Sequence, residues 1–129
     1  MPDHDAVQKF FAAYGRALAG GDLNGVAAAY SYPSYVAGDA QSIAIAAPAE
    51  VKDAFAGAAE TYRRRGVAHA LPRVRAAEWL TRSLLWADVA WSYTDEGGAE
   101  LDAETFRYVL RVSGDSVRIC VVVAAATEV

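Results

Sequence analysis

The chain is expected to fold as an α+β domain, with three N-terminal helices packed on a curved antiparallel sheet. Three observations predict this. The segment Phe10 to Tyr30 reads as an amphipathic helix, a Gly20-Gly21-Asp22 break and a second short helix. A third helical pattern begins at Pro48. Four longer extended runs then follow, joined by short turns, and short links favour antiparallel neighbours because a parallel pair needs a long crossover. Helices first and a meander of long strands last is an α+β order.

Asp3 or Asp5 can cap the first helix, whose Val7, Phe10, Phe11, Tyr14 and Leu18 fall at spacings that share one face. Gly20 and Gly21 end it, since glycine accepts the left-handed geometry common at helix termini. Asp22 caps the second helix, and Leu23, Val26 and Tyr30 form its apolar side. Pro33 stops helical continuation. Tyr35 to Ala46 reads as two short strands around the turn Gly38-Asp39-Ala40-Gln41. Pro48 suits the first position of the third helix, with Glu50 in its first turn, the stripe Val51, Phe55, Ala58 and Tyr62, and Gly66 closing it.

The four long strands are expected at about Ala68 to Leu80, Ser83 to Tyr93, Leu101 to Val112 and Ser116 to Ala125. Alternation separates Phe106, Tyr108, Leu110 and Val112 from Thr105, Arg107, Val109 and Arg111. The last strand is apolar on nearly both faces past Arg118, so a homodimer packed through the outer sheet face would supply its cover.

All 129 residues are expected to form one domain, and 54% hydrophobic with 22% charged residues is a globular composition. The net charge of −4 argues against nucleic-acid binding, which draws on Lys and Arg at phosphates. Arg63, Arg64 and Arg65 read as the cationic end of a helix before Gly66. No apolar run approaches the ~20 residues that span a bilayer. The opening MPDHDAVQKF carries acids where a secretory signal carries cations, which points to the cytoplasm. Cys120 has no partner for a disulfide and reads as a small core residue. Two histidines, His4 and His69, give too few nitrogen ligands for a metal site, and no phosphate loop, CxxC, HExxH or GxSxG is present. No metal and no cofactor is expected.

The order of elements resembles the nuclear-transport-factor-two-like superfamily, which includes SnoaL-like cyclases and ketosteroid isomerases. The likeness rests on the helix Phe10 to Ala19, the break Gly20-Gly21-Asp22, Leu23-Asn24-Gly25-Val26, Pro48-Ala49-Glu50-Val51, and the strands Phe106 to Val112 and Val117 to Val123. It implies a cone with a cavity at its open end, and in many members a dimer. It also implies roles: Tyr14 falls on the isomerases' oxyanion-binding tyrosine. Their general-base aspartate falls on Gly38, with Asp39 one residue later, and their second oxyanion donor, a protonated aspartate, falls at or next to Tyr108.

Two functions compete. In the first, non-catalytic reading, a small apolar molecule is held in a cavity walled by Tyr30, Tyr35, Phe55, Tyr62, His69, Trp91 and Phe106, or the chain is a dimeric scaffold whose own aromatics fill a vestigial cavity. In the second, an isomerase, dehydratase or cyclase uses Tyr14 and Tyr108 as hydroxyl donors to a developing oxyanion and Asp39 or His69 as proton carrier. The absence of a carboxylate at the expected base position tips the reading towards binding. Asp88, inside the apolar LLWADVAW, is either a cavity acid or paired on the outer face with an arginine such as Arg75 or Arg107, and the register that the resemblance implies favours pairing.

Overall fold

A computed structural model describes residues 4–124. In chain order it contains α1 (His4–Gly20), α2 (Leu23–Ala28), β1 (Tyr30–Ala37), β2 (Ser42–Ile45), α3 (Pro48–Phe55), α4 (Ala58–Arg65), β3 (His69–Trp79), β4 (Leu84–Thr94), β5 (Glu100–Ser113) and β6 (Ser116–Ala124). The α+β class and the cone-like arrangement of helices on one sheet hold. Asp3 and Ala125, expected at the first cap and at the end of the last strand, lie outside the described residues.

The local signals act as their chemistry requires. The Asp22 carboxylate accepts a hydrogen bond from the Gly25 N–H at 3.0 Å and caps α2. Pro48 opens α3, where it loses no intrahelical bond. Gly66, at φ 79°, closes α4 behind Arg63, Arg64 and Arg65.

Three expectations are corrected. The third helix is two helices, α3 and α4, because the run stops at Ala56-Gly57 although its apolar spacing continues across the break. The sheet is mixed, not wholly antiparallel. Its six strands lie in the order β2-β1-β6-β5-β4-β3, and β1 runs parallel to β6. The long path through α3, α4 and three strands supplies the crossover that such a pair needs. Tyr30 also changes element. It opens β1 opposite Ile119 and does not end α2. Pro33, which has no N–H, sits in the stretch where the β1–β6 ladder is interrupted, between Tyr30 and Tyr35.

The core lies between α1 and the inner sheet face. Phe11 is fully buried, with its ring centre 4.6 Å from that of Tyr108 and 6.3 Å from that of Trp91. Strand β4 alternates as expected, with Leu85, Ala87, Val89 and Trp91 inward. Asp88 faces outward, where Arg75 Nη2 donates to it at 2.9 Å. Gln8 ties α1 to β3 at two points, donating to the Pro72 carbonyl at 2.8 Å and accepting from the Val74 N–H at 2.9 Å.

Close approach of α1 to the sheet requires Gly15. A Cβ there would stand 2.4 Å from the Ala70 carbonyl oxygen and 2.9 Å from Trp91 Cζ3. Gly15→Ala should therefore lower stability by about 1–3 kcal/mol, as overpacking does. Gly20→Ala, whose Cβ meets nothing within 4 Å, should stay within about 0.5 kcal/mol of the parent in the same urea titration.

Candidate functional site

A cavity of about 420 Å³ opens between α1, the β1–β2 hairpin, α3, α4 and strands β4, β5 and β6. Its deep wall is Leu18, Tyr14, Tyr30, Trp91, Tyr108 and Val122, all buried. Its outer part includes Ile43, Glu50, Ala54 and Glu104, which are exposed and so mark the mouth. Each strand supplies its side chains by alternation: Trp91 and Tyr93 from β4, and Glu104, Phe106 and Tyr108 from β5.

Two hydrogen bonds organise the floor. The hydroxyls of Tyr14 and Tyr30 share one at 2.7 Å. Trp91 Nε1 donates to the Tyr108 oxygen at 3.0 Å. An indole N–H only donates, so the Tyr108 proton is left for another acceptor. In the tyrosine pair, one hydroxyl donates to the other, which likewise leaves one proton over. The floor thus offers two hydroxyl donors.

These hydroxyls stay protonated. Burial pushes Tyr30 up to about 12, with the Tyr14 hydrogen bond acting against the rise. Burial is also the main cause that raises Tyr14 well above its ordinary value, followed by the neighbouring hydroxyls of Tyr30 and Tyr108. Tyr93 is raised by burial, then by Tyr62 and the Glu104 carboxylate, and Tyr108 by burial, with Tyr30 and Glu104 adding to it.

The cavity brings together Tyr14, Tyr30, Phe55, Tyr62, Trp91, Phe106 and Tyr108 of the residues expected from the sequence. Three others it does not. Asp39 is exposed in the turn between β1 and β2, away from the cavity wall. Tyr35 is 46% exposed, because β1 turns Val36 inward and its neighbour therefore outward. His69, exposed at the start of β3, borders a separate depression with Ala12, Gly15 and Arg16. Tyr93 and Glu104 were missed, although each continues an alternation already recognised, two residues beyond Trp91 and two before Phe106. Glu50 was placed only as a first-turn helix residue. It does serve there, accepting from the Ala46 N–H at 3.1 Å, and it also borders the cavity.

Residues 4–127 match the profile of a family described as NTF2-like protein (DUF6841). The chain belongs to that family. No curated protein matches this NTF2-like chain in sequence. In structure it is similar to a domain with a cystatin-like fold from Nostoc punctiforme, at 15% identity and TM-score 0.71, covering 98% of this chain and 78% of that one. It is also similar to an NTF2-like protein of unknown function from Shewanella oneidensis, at 10% identity and TM-score 0.68, covering 93% and 96%. A third is a protein with a ketosteroid-isomerase-like fold from Catenulispora acidiphila, crystallised with trimethylamine, at 12% identity and TM-score 0.56, covering 92% and 85%. Likeness at such identities concerns the fold alone. No helix among the described residues of this NTF2-like protein is long and apolar enough to cross a membrane.

Because Tyr30 is raised from 10.0 to about 12, its stabilising contribution is complete below pH 10 and is lost as pH rises from 10 to 12. Two pH units correspond to at most about 3 kcal/mol. Unfolding free energy measured between pH 9 and 12 should fall across that window, and Tyr30→Phe should make the fall shallower. An unchanged slope would contradict the assignment.

Proposed function

We propose that this NTF2-like domain binds a small, largely apolar molecule in the cavity between its helices and sheet. The observation that carries the reading is the cavity itself: about 420 Å³, walled by aromatic and aliphatic side chains, with two hydroxyl donors on its floor. Binding sites are typically concave and mostly apolar, with a few placed polar groups that fix orientation. Binding is favoured over turnover because both proton carriers of the enzymatic reading, Asp39 and His69, stand outside this space. The same proposal leaves Tyr14 and Tyr108 as orienting donors to a polar atom of the ligand.

The neutral fluorophore N-phenyl-1-naphthylamine tests this. It should gain intensity and shift to the blue on binding, and it should raise the melting temperature by mass action. Ala54→Trp, which places an indole at the cavity mouth, should weaken that binding at least ~10-fold, a loss of about 1.4 kcal/mol. Retained binding in a folded Ala54→Trp variant would locate the probe elsewhere and sink the proposal.

We also propose that a second copy of the chain covers the outer sheet face. There Trp86, Val109 and Val121 are half-buried and Val123 is 37% exposed, on adjacent strands. Light scattering at micromolar concentration should give twice the monomer mass, and Val121→Arg should reduce it to the monomer. A monomeric parent protein would refute this pairing.

A further inference from the structure

The charge around the cavity is one-sided. Among the described residues its lining contains two carboxylates, Glu50 and Glu104, and no Lys, Arg or His. Arg65 acts on Tyr62 in the lining, and Arg65 is itself held by Asp102 at 2.7 Å, so the pair contributes little net charge. The Glu104 carboxylate acts on three separate hydroxyls, those of Tyr62, Tyr93 and Tyr108, and raises all three. A negative field that disfavours a phenolate favours a cation in the same space. The tyrosines themselves are protonated and cannot supply a counter-charge.

The walls match that sign. Tyr62 and Tyr93 pack with ring centres 5.7 Å apart and planes tilted by 33°, and Phe106 lies 6.3 Å from Tyr108. Trp91 completes the aromatic wall. Faces of aromatic rings attract weakly hydrated cations, and Trp and Tyr do so best. A small hard metal ion would need a shell of oxygen ligands that this lining does not offer. An alkylated ammonium group needs only ring faces and a carboxylate, and its apolar remainder fits the aliphatic part of the wall.

We infer that the ligand is a hydrophobic amine or quaternary ammonium compound, with its cationic end among Trp91, Tyr93 and Phe106 and facing Glu104 at the mouth. This inference rests on the binding reading above and sharpens it by naming the chemical class.

The test is a matched pair of probes of nearly equal shape, phenyltrimethylammonium and the neutral tert-butylbenzene, titrated into the full chain by ligand-detected NMR at low salt. The cation should bind about tenfold tighter, the scale of a desolvated cation–π contact with a carboxylate nearby. Glu104→Gln should bring the ratio of the two affinities to within about threefold, and 0.5 M NaCl should narrow it too. Equal binding, tighter binding of tert-butylbenzene, or a ratio unmoved by Glu104→Gln would overturn the ammonium class while leaving the binding reading intact. So would failure of both probes while N-phenyl-1-naphthylamine still binds. Failure of all three compounds would bring down the binding reading and this inference together.

Discussion

The architecture depends on how closely α1 can lie against the inner sheet face. Gly15 lets the helix backbone come within reach of the Ala70 carbonyl and of Trp91, and a single methyl group would forbid that distance. The other contacts of α1 follow from this approach. Phe11 reaches between Trp91 and Tyr108, and Gln8 bonds the backbone of β3 on both sides. Tyr14, one residue before the glycine, is carried far enough inward to meet Tyr30. Helix position and cavity floor are therefore one constraint.

The cavity floor solves a general problem of buried polar groups. Hydroxyls and an indole N–H taken out of water cost free energy unless they are paired. Here they pair with one another, Tyr14 with Tyr30 and Trp91 with Tyr108, so the apolar hollow keeps polar atoms without stranding them. The pairing also explains why the walls remain aromatic down to the floor. Each ring contributes area for packing and a polar tip that finds a partner.

Much of the fold was legible because its signals are local. The Gly-Asp break, Pro48 at a helix start, Gly66 at a helix end and the period-two patterns of β4 and β5 each act within a few residues. Alternation puts Asp88 and Trp86 on one face of β4, the family resemblance implies that the other set points inward, and Asp88 stands outside with Arg75. The parallel β1–β6 pair was not legible, because pairing across so much intervening chain leaves no local mark. The split between α3 and α4 was hidden by an apolar spacing that continues through it. On β4 and β5 the alternation that gives Trp91 and Phe106 reaches Tyr93 and Glu104 one step further along each strand, and these also line the cavity. Asp39 matches the isomerases' base only by position, and the turn at the hairpin tip carries it into solvent. His69 matches only the chemistry of a proton carrier, and the start of β3 leaves it on the surface.

The position of β6 also bears on how the molecule is made. It lies between β1 and β5, so it joins the hairpin β1–β2 to the meander β3–β4–β5. Without β6 those two pieces would share no strand pairing, and each would present an open backbone edge. Pairing between elements so distant in sequence is slow to form. Exposed strand edges invite unwanted association. The strand that is last among the described residues is therefore the one that joins the two pieces of the sheet.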